Sequence, residues 1–308
     1  MKQLMTRVAA AAFLCAGAAS AHATPGLDVY VLTAGGSSQF GANGNPFGCS
    51  TFAPDGLAGI FGRTLQLGLP TDGSICGVAG DGRAFTAATG SVQTAAQLDV
   101  GFGRSPDVRT FSGNAQARAG YGSLGVRAAA IYTGTTDSSV VSGTQAGARQ
   151  VEEMTFGGAV GNGTYRATFT LDGALFNVGR TDSEIEFGYS FGASPSRMAF
   201  RIFNARGVIS LYLNGATPVT LLGLTTTGDG VHGFTVAGET SFSIDIPIVF
   251  GQAQEVGFSL WGASLPSSSL GLLTPSAGDA SFFNTVKLTG IEVLDSSGKA
   301  VRDRKSVV

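Results

Sequence analysis

Between residues 164 and 191 the sequence alternates apolar and polar side chains twice, with a turn-prone stretch in between. Tyr165, Ala167, Phe169 and Leu171 fall on one face of the first run, with Thr164, Arg166, Thr168 and Thr170 on the other. In the second run Ile185, Phe187, Tyr189 and Phe191 alternate with Glu184, Glu186, Gly188 and Ser190. A period of two places successive side chains on opposite faces of an extended chain, so both runs read as strands with one face on a core and one in water. The intervening turn residues make them a central hairpin. A two-stranded ribbon is marginal by itself, so this hairpin demands further strands and an opposing layer.

The rest of the chain supplies them. Short strands are expected at 27–32, 60–69, 82–86, 92–100 and 107–111, then across 112–134, where Ala115, Ala117 and Ala119 alternate with Gln116, Arg118 and Gly120. Alanine is a poor strand former, so packing against bulky partners must decide that segment, and the 21 phenylalanines are the obvious ones. Residues 198–203 and 208–213 flank an Asn204-Ala205-Arg206-Gly207 turn, as in a hairpin. Strands follow at 231–236, 241–250, 254–260 and 282–294. Pro247 lacks a ladder donor, which calls for an edge position or a bulge, and Gly290 marks a bulge where the apolar phase shifts. Glycine, 47 residues of it, sits between the alternating runs and supplies tight turns. No stretch has convincing helical periodicity. Residues 144–154 are read as a short helix or turn. The expected fold is therefore all-β, an antiparallel β-sandwich of jelly-roll type, over Phe169, Leu171, Phe187, Tyr189, Phe200, Ile202, Leu211, Phe242, Ile244, Ile246 and Phe258. One domain is expected at 24–298, with an irregular part at 24–111 and the main sandwich at 112–298. Residues 299–308, with Lys299, Arg302, Arg304 and Lys305 and little to bury, are expected to form a disordered basic tail.

Residues 1–23 open with Lys2 and Arg7, run through an apolar core and end in Ala21-His22-Ala23, the layout of a secretory signal peptide cleaved near Ala23. Phe13 and Leu14 before Cys15 are bulkier than a lipoprotein signal takes. Export places Cys49 and Cys76 in an oxidising compartment. A Cys49–Cys76 disulfide is expected there, worth about 3 kcal/mol in chain-entropy terms; the alternative is two unrelated thiols. With 19 basic against 21 acidic residues and no basic stripe before the last ten positions, nucleic acid is not an expected partner. The mature chain is expected to have no membrane span, and no cofactor or metal site is expected, since one histidine and two cysteines make no zinc site.

Local motifs add little chemistry. Gly188-Tyr189-Ser190-Phe191-Gly192 matches a nucleophile elbow, yet that chemistry needs a strand-to-helix turn and a base, and only His232 is available after export. Gly120 to Gly125 matches a dinucleotide fingerprint without a surrounding βαβ unit. Asp81 and Asp229 lie in glycine turns that lack any calcium-loop pattern. Glu184 and Glu186, two residues apart, share one strand face with Cα atoms about 6.5–7 Å apart, a spacing from which a glycosidase-like pair can be built. The alternative is a solvated face that keeps sheets from sticking together. Trp261, the only tryptophan, lies on the face opposite Val256, Phe258 and Leu260, either as a sugar-stacking platform or packed under a loop.

Two segments carry a family resemblance. Gly122, Ser123 and Leu124 within the alanine-rich stretch 115–130, and Asn284, Thr285, Leu288, Gly290, Ile291, Val293, Asp295 and Gly298 within 283–301, resemble exported proteobacterial proteins of the PEP-CTERM class. After Val301 the sequence reads RDRKSVV in place of that class's sorting tail. The resemblance implies a surface or matrix component of a Gram-negative, exopolysaccharide-producing bacterium and brings no catalytic residue. The expected function is a non-catalytic extracellular or cell-surface β module, with exopolysaccharide or other surface components as partners. The alternative is a carbohydrate-binding or carbohydrate-active protein using Glu184, Glu186 and Trp261.

Overall fold

The computed structural model describes residues 26–35, 77–86, 90–102, 109–133, 143–179, 181–192, 197–205, 208–213, 223–229, 233–266 and 276–301. Fourteen strands run through them: β1 (Gly26–Gly35), β2 (Gly77–Thr86), β3 (Ser91–Phe102), β4 (Arg109–Gly120), β5 (Ser123–Thr133), β6 (Gly143–Thr155) and β7 (Asn162–Val178) in the first half. The second half holds β8 (Thr181–Phe191), β9 (Arg197–Ala205), β10 (Val208–Leu213), β11 (Leu224–Asp229), β12 (Gly233–Val249), β13 (Ala253–Pro266) and β14 (Ser276–Asp295). No helix occurs among the described residues. The strands form two seven-stranded sheets, the first ordered β10-β9-β8-β13-β6-β1-β2 and the second β11-β12-β7-β14-β5-β4-β3. Every pairing between them is antiparallel. The sheets pack face to face as a β-sandwich.

The two alternating runs are both strands, but they do not pair with each other. β7 belongs to the second sheet, between β12 and β14, while β8 belongs to the first, between β13 and β9. The chain turns a corner between layers at Gly179 (φ 67°). Side chains tie that corner in place of a ladder: the Asn177 amide donates to the Thr181 carbonyl oxygen at 3.0 Å, and the Thr181 hydroxyl to the Val178 carbonyl oxygen at 3.0 Å. The expected hairpin is thus corrected to a sheet crossing. Its consequence is the core itself, because Phe169 of β7 meets Phe187 of β8 across the layers at 4.8 Å between ring centroids. Phe258 of β13 meets Phe169 edge-on at 4.8 Å, and Phe242 of β12 stacks on Phe200 of β9 at 5.5 Å. Each fully buried phenylalanine removes enough apolar surface to contribute about 2–3 kcal/mol. Of the expected core, Phe169, Leu171, Phe187, Phe200, Ile202, Phe242, Ile244, Ile246 and Phe258 are buried and Tyr189 is partly so.

Residues 144–154 form the central strand β6 rather than a helix or turn. It lies between β13 and β1, and both its faces are covered, so neighbours decide its state where composition could not. The boundary expected at 111/112 falls inside β4, and the part before it is woven into both sheets: β1 sits between β6 and β2, and β3 borders β4. Pro247 lies on the stretch of β12 beyond its pairing with β11, where only β7 is its ladder neighbour. A register shift at Leu288/Gly290 is the expected bulge. Past Gly298 the chain folds back along β14: the Val301 N–H donates to the Val293 oxygen at 2.8 Å and Val301 packs on the core. Residues 299–301, which the sequence assigns to the tail, thus lie along β14. Residues 1–23, 60–69 and 302–308, and Cys49, Cys76 and His232, lie outside the described residues.

At one end of the sandwich the sheets meet through hydroxyls. Ser183, Ser264, Thr144 and Thr33 are cross-strand partners in one row over β8, β13, β6 and β1, all buried and all facing the second sheet. Opposite them lie Gly278 and Gly113, with Ala130 between. A methyl group on Gly278 would overlap the Ser264 Oγ and stand 2.5 Å from the Ser183 Oγ; one on Gly113 would overlap the Thr33 Oγ1 and stand 2.7 Å from that of Thr144. Only glycine permits so close an approach. Thr33 and Thr144 share a 3.1 Å hydrogen bond, whereas Ser183 Oγ and Ser264 Oγ have no partner among the described residues.

Candidate functional site

The sequence motifs converge on the outer face of the first sheet. Glu186 of β8 is the cross-strand partner of both Trp261 on β13 and Arg201 on β9, and Ala263 of β13 is that of Glu184. Glu184, Glu186 and Trp261 are therefore brought together on one face by the pairing of β8 with β13. The face is not open, however. Trp261 is 4% exposed and Glu184 7% exposed, and the Glu184 carboxylate is ion-paired with the Arg201 guanidinium. A buried carboxylate keeps its charge only beside such a partner, so Glu184 is committed to holding β8 and β9 together. Glu186 is half-buried.

The indole is enclosed by a second aromatic. Across the sheet Trp261 is paired with Gly147 of β6, and Gly147 with Tyr30 of β1. The Tyr30 ring lies over Gly147 so closely that a methyl there would overlap it. Burial pushes the Tyr30 hydroxyl well above the usual phenol range, against a smaller opposing pull from the Trp261 indole. One row further, burial draws the Arg149 guanidinium below its ordinary value, with Glu255 and Asp28 pulling the other way, and the Arg149–Glu255 pair is 4.0 Å apart. This face is a closed aromatic and ionic layer. Ser190 lies within β8 and is buried, not at the head of a helix.

The outer face of the second sheet is its opposite in character. Ser241, Ser243 and Asp245 of β12 stand across from Thr170, Thr168 and Arg166 of β7. The Thr168 and Ser243 hydroxyls bond at 2.8 Å, and those of Thr170 and Ser241 at 3.2 Å. Arg166 grips Asp245 through two bonds of 2.7 and 2.8 Å, which holds that carboxyl below the usual range, and reaches Glu292 of β14 at 3.5 Å. Arg127 of β5 bonds Asp279 of β14 at 2.9 Å. Beyond lie Ser112, Asn114, Gln116 and Arg118 of β4 and Gln93, Gln97 and Asp99 of β3. Hydroxyls, amides and paired charges thus lie side by side across several strands, spaced by the strand separation of about 4.8 Å. Half of this face was legible from the alternation of Thr164, Arg166, Thr168 and Thr170; that Ser241, Ser243 and Asp245 extend it follows only from β12 lying beside β7.

Among the described residues no group of three or more His, Cys, Asp or Glu is placed to hold a metal ion, and no helix is long and apolar enough to cross a membrane. No protein-family model matches the chain, and neither the curated proteins nor the solved structures compared with it yield a match.

Proposed function

We propose that this protein is a non-catalytic extracellular or cell-surface β module that contacts matrix polysaccharide through the outer face of its second sheet. The observation that carries the reading is the contrast between the two outer faces. On the first sheet Glu184 is buried and ion-paired, Trp261 is buried and Glu186 is half-buried, while the second presents hydroxyl, amide and paired-charge groups to solvent. Such groups make many weak hydrogen bonds to sugar hydroxyls, direct or through water, and spread them over an extended chain. The signal-like residues 1–23 and the resemblance of 115–130 and 283–301 to PEP-CTERM-class proteins support an exported setting. The test is a glycan array run with a hydrolysis assay on the wild type, a Glu186→Gln variant and a Thr168→Glu/Ser243→Glu variant. Binding without hydrolysis, kept in Glu186→Gln and lost in the sheet-face variant, is the expected result. Hydrolysis that disappears in Glu186→Gln would overturn it in favour of a carbohydrate-active protein.

A further inference from the structure

A second place on the molecule has the makings of a binding site, at the end of the sandwich away from the hydroxyl row. There the second sheet is cut short. The β4–β5 hairpin turns at Tyr121 and Gly122, and the last pairing of β5 with β14 is Ser123 with Lys287. The Leu288 N–H donates to the Gly122 oxygen at 2.9 Å, and the returning chain begins to cover β14 only at Val293. Between these points Ile291 is paired with core-facing Ala167 and yet is 54% exposed. Tyr121, at the hairpin tip, is 38% exposed. The space between the sheets therefore has a mouth at this corner, with apolar and aromatic side chains on its rim.

Behind that rim sits a carboxyl group with no cation paired to it among the described residues. Glu152 of β6 occupies the core-facing register of its strand, in phase with Ala146, Ala148 and Gln150, and is half-buried. Among the described residues it forms no salt bridge, and its side-chain hydrogen bond comes from the Gln150 amide at a long 3.5 Å, while the Gln150 oxygen accepts the Gly122 N–H at 2.8 Å. Burial holds the Glu152 carboxyl above the usual range, and its charge helps raise both nearby phenols, after the larger effect of burial on each. One of them, Tyr165 of β7, is fully buried, packs at a tilt against Phe156 with ring centroids 5.3 Å apart, and has a hydroxyl with no hydrogen-bond partner among the described residues. An uncompensated carboxylate and an unpaired phenol enclosed together are costly, and the cost is removed by a ligand that brings a positive charge and donors.

We propose that this mouth binds the ammonium group of an amino sugar, with Glu152 as counter-charge, the Tyr165 and Gln150 polar atoms as hydrogen-bond partners, and Tyr121 and Ile291 against the sugar ring. An ammonium beside a part-desolvated carboxylate and aromatic rings is favoured by both charge pairing and attraction to the ring faces. The exposed phenol and aliphatic rim suits a sugar, whose ring has apolar C–H faces between its hydroxyls, better than a plain alkylammonium chain. The site is separate from the second-sheet face, so neither proposal depends on the other.

The test is titration calorimetry of the full chain with a short glucosamine oligosaccharide, its fully N-acetylated counterpart and a lysine-containing peptide. The glucosamine oligosaccharide should bind, and the acetylated form and the peptide should bind at least about tenfold more weakly. Glu152→Gln should weaken the glucosamine oligosaccharide by about tenfold, while Glu153→Gln, on the exposed opposite face of the same strand, should leave it unchanged. Thermal melts establish that each variant is folded, and Tyr121→Ala, at an exposed turn, gives a second reading that does not touch the interior. Absence of binding, equal binding of the acetylated form or of the peptide, or equal affinity in Glu152→Gln would each overturn the proposal.

Discussion

Gly278→Ala tests the close approach of the two sheets. Its methyl would overlap the Ser264 Oγ and lie 2.5 Å from the Ser183 Oγ and 2.6 Å from the Thr181 Cγ2, where ordinary contact is 3.4–4 Å. Three side chains on one strand pair must therefore yield by close to an ångström, in a row that is fully buried. Overpacking of this kind costs about 1–3 kcal/mol, and three simultaneous overlaps place Gly278→Ala at the upper end. Restricting the unfolded chain returns about 0.4–1 kcal/mol, which leaves a net loss of about 2–3 kcal/mol. For a chain of this size that is a fall of about 5–10 °C in Tm. Trp261, the only tryptophan, is buried in the first sheet, so its fluorescence reports the unfolding directly. Repeating the substitution in a Ser183→Ala/Ser264→Ala background removes two of the three obstacles, and the loss should shrink by at least half. A Tm within about 1 °C of wild type, or the same loss in both backgrounds, would refute the close-packed row.

Ser264→Ala alone should be neutral or stabilise by about 1 kcal/mol, because it deletes a buried hydroxyl without a partner; urea titration showing a loss above that size would mean the hydroxyl is satisfied. Arg201→Met should cost about 3 kcal/mol by leaving Glu184 buried without its cation, and adding Glu184→Gln should restore most of it, measured in the same way. Glu152→Gln should raise stability at neutral pH. The folded carboxyl is held above its unfolded value, so the wild type loses stability as pH rises from the ordinary carboxyl range through the raised one, and the variant does not. Melting curves should therefore separate near pH 7 and coincide near about pH 3, and a gap that widens in acid would contradict the assignment.

Strand identity was legible wherever one face meets the core and the other does not. The alternation in 164–171, 185–191 and 241–250 is visible because large apolar residues recur every second position, and β7, β8 and β12 lie there. Partnership was not legible. Period two is the same whether adjacent runs pair as a hairpin or face each other from different sheets, and for β7 and β8 the choice was made by the Phe169–Phe187 contact and the Asn177–Thr181 corner. β6 was hidden because Gly147, Ala146 and Ala148 offer little apolar pattern of their own; their faces are filled by neighbours such as Tyr30. Glu184 looked like a solvated residue because nothing in its own strand shows that it is buried or that Arg201 of β9 pairs with it. Alternation put Glu184 and Glu186 on one side of their strand and Trp261 opposite the apolar side of its own; that the two strands are neighbours, and that the face they share is closed, was not readable. Glu152 stood in a segment read as helix or turn, and only the core-facing register of β6 singles it out.

The most direct test of the functional account is hydrogen-exchange footprinting of the protein with and without the polysaccharide that it retains on a glycan array. The account predicts added protection in 164–172 and 239–247, the neighbouring stretches of β7 and β12 that carry the hydroxyl ladder, with 182–190 and 257–263 unchanged. Protection gained in 182–190 and 257–263 instead, around Glu184, Glu186 and Trp261, would contradict it.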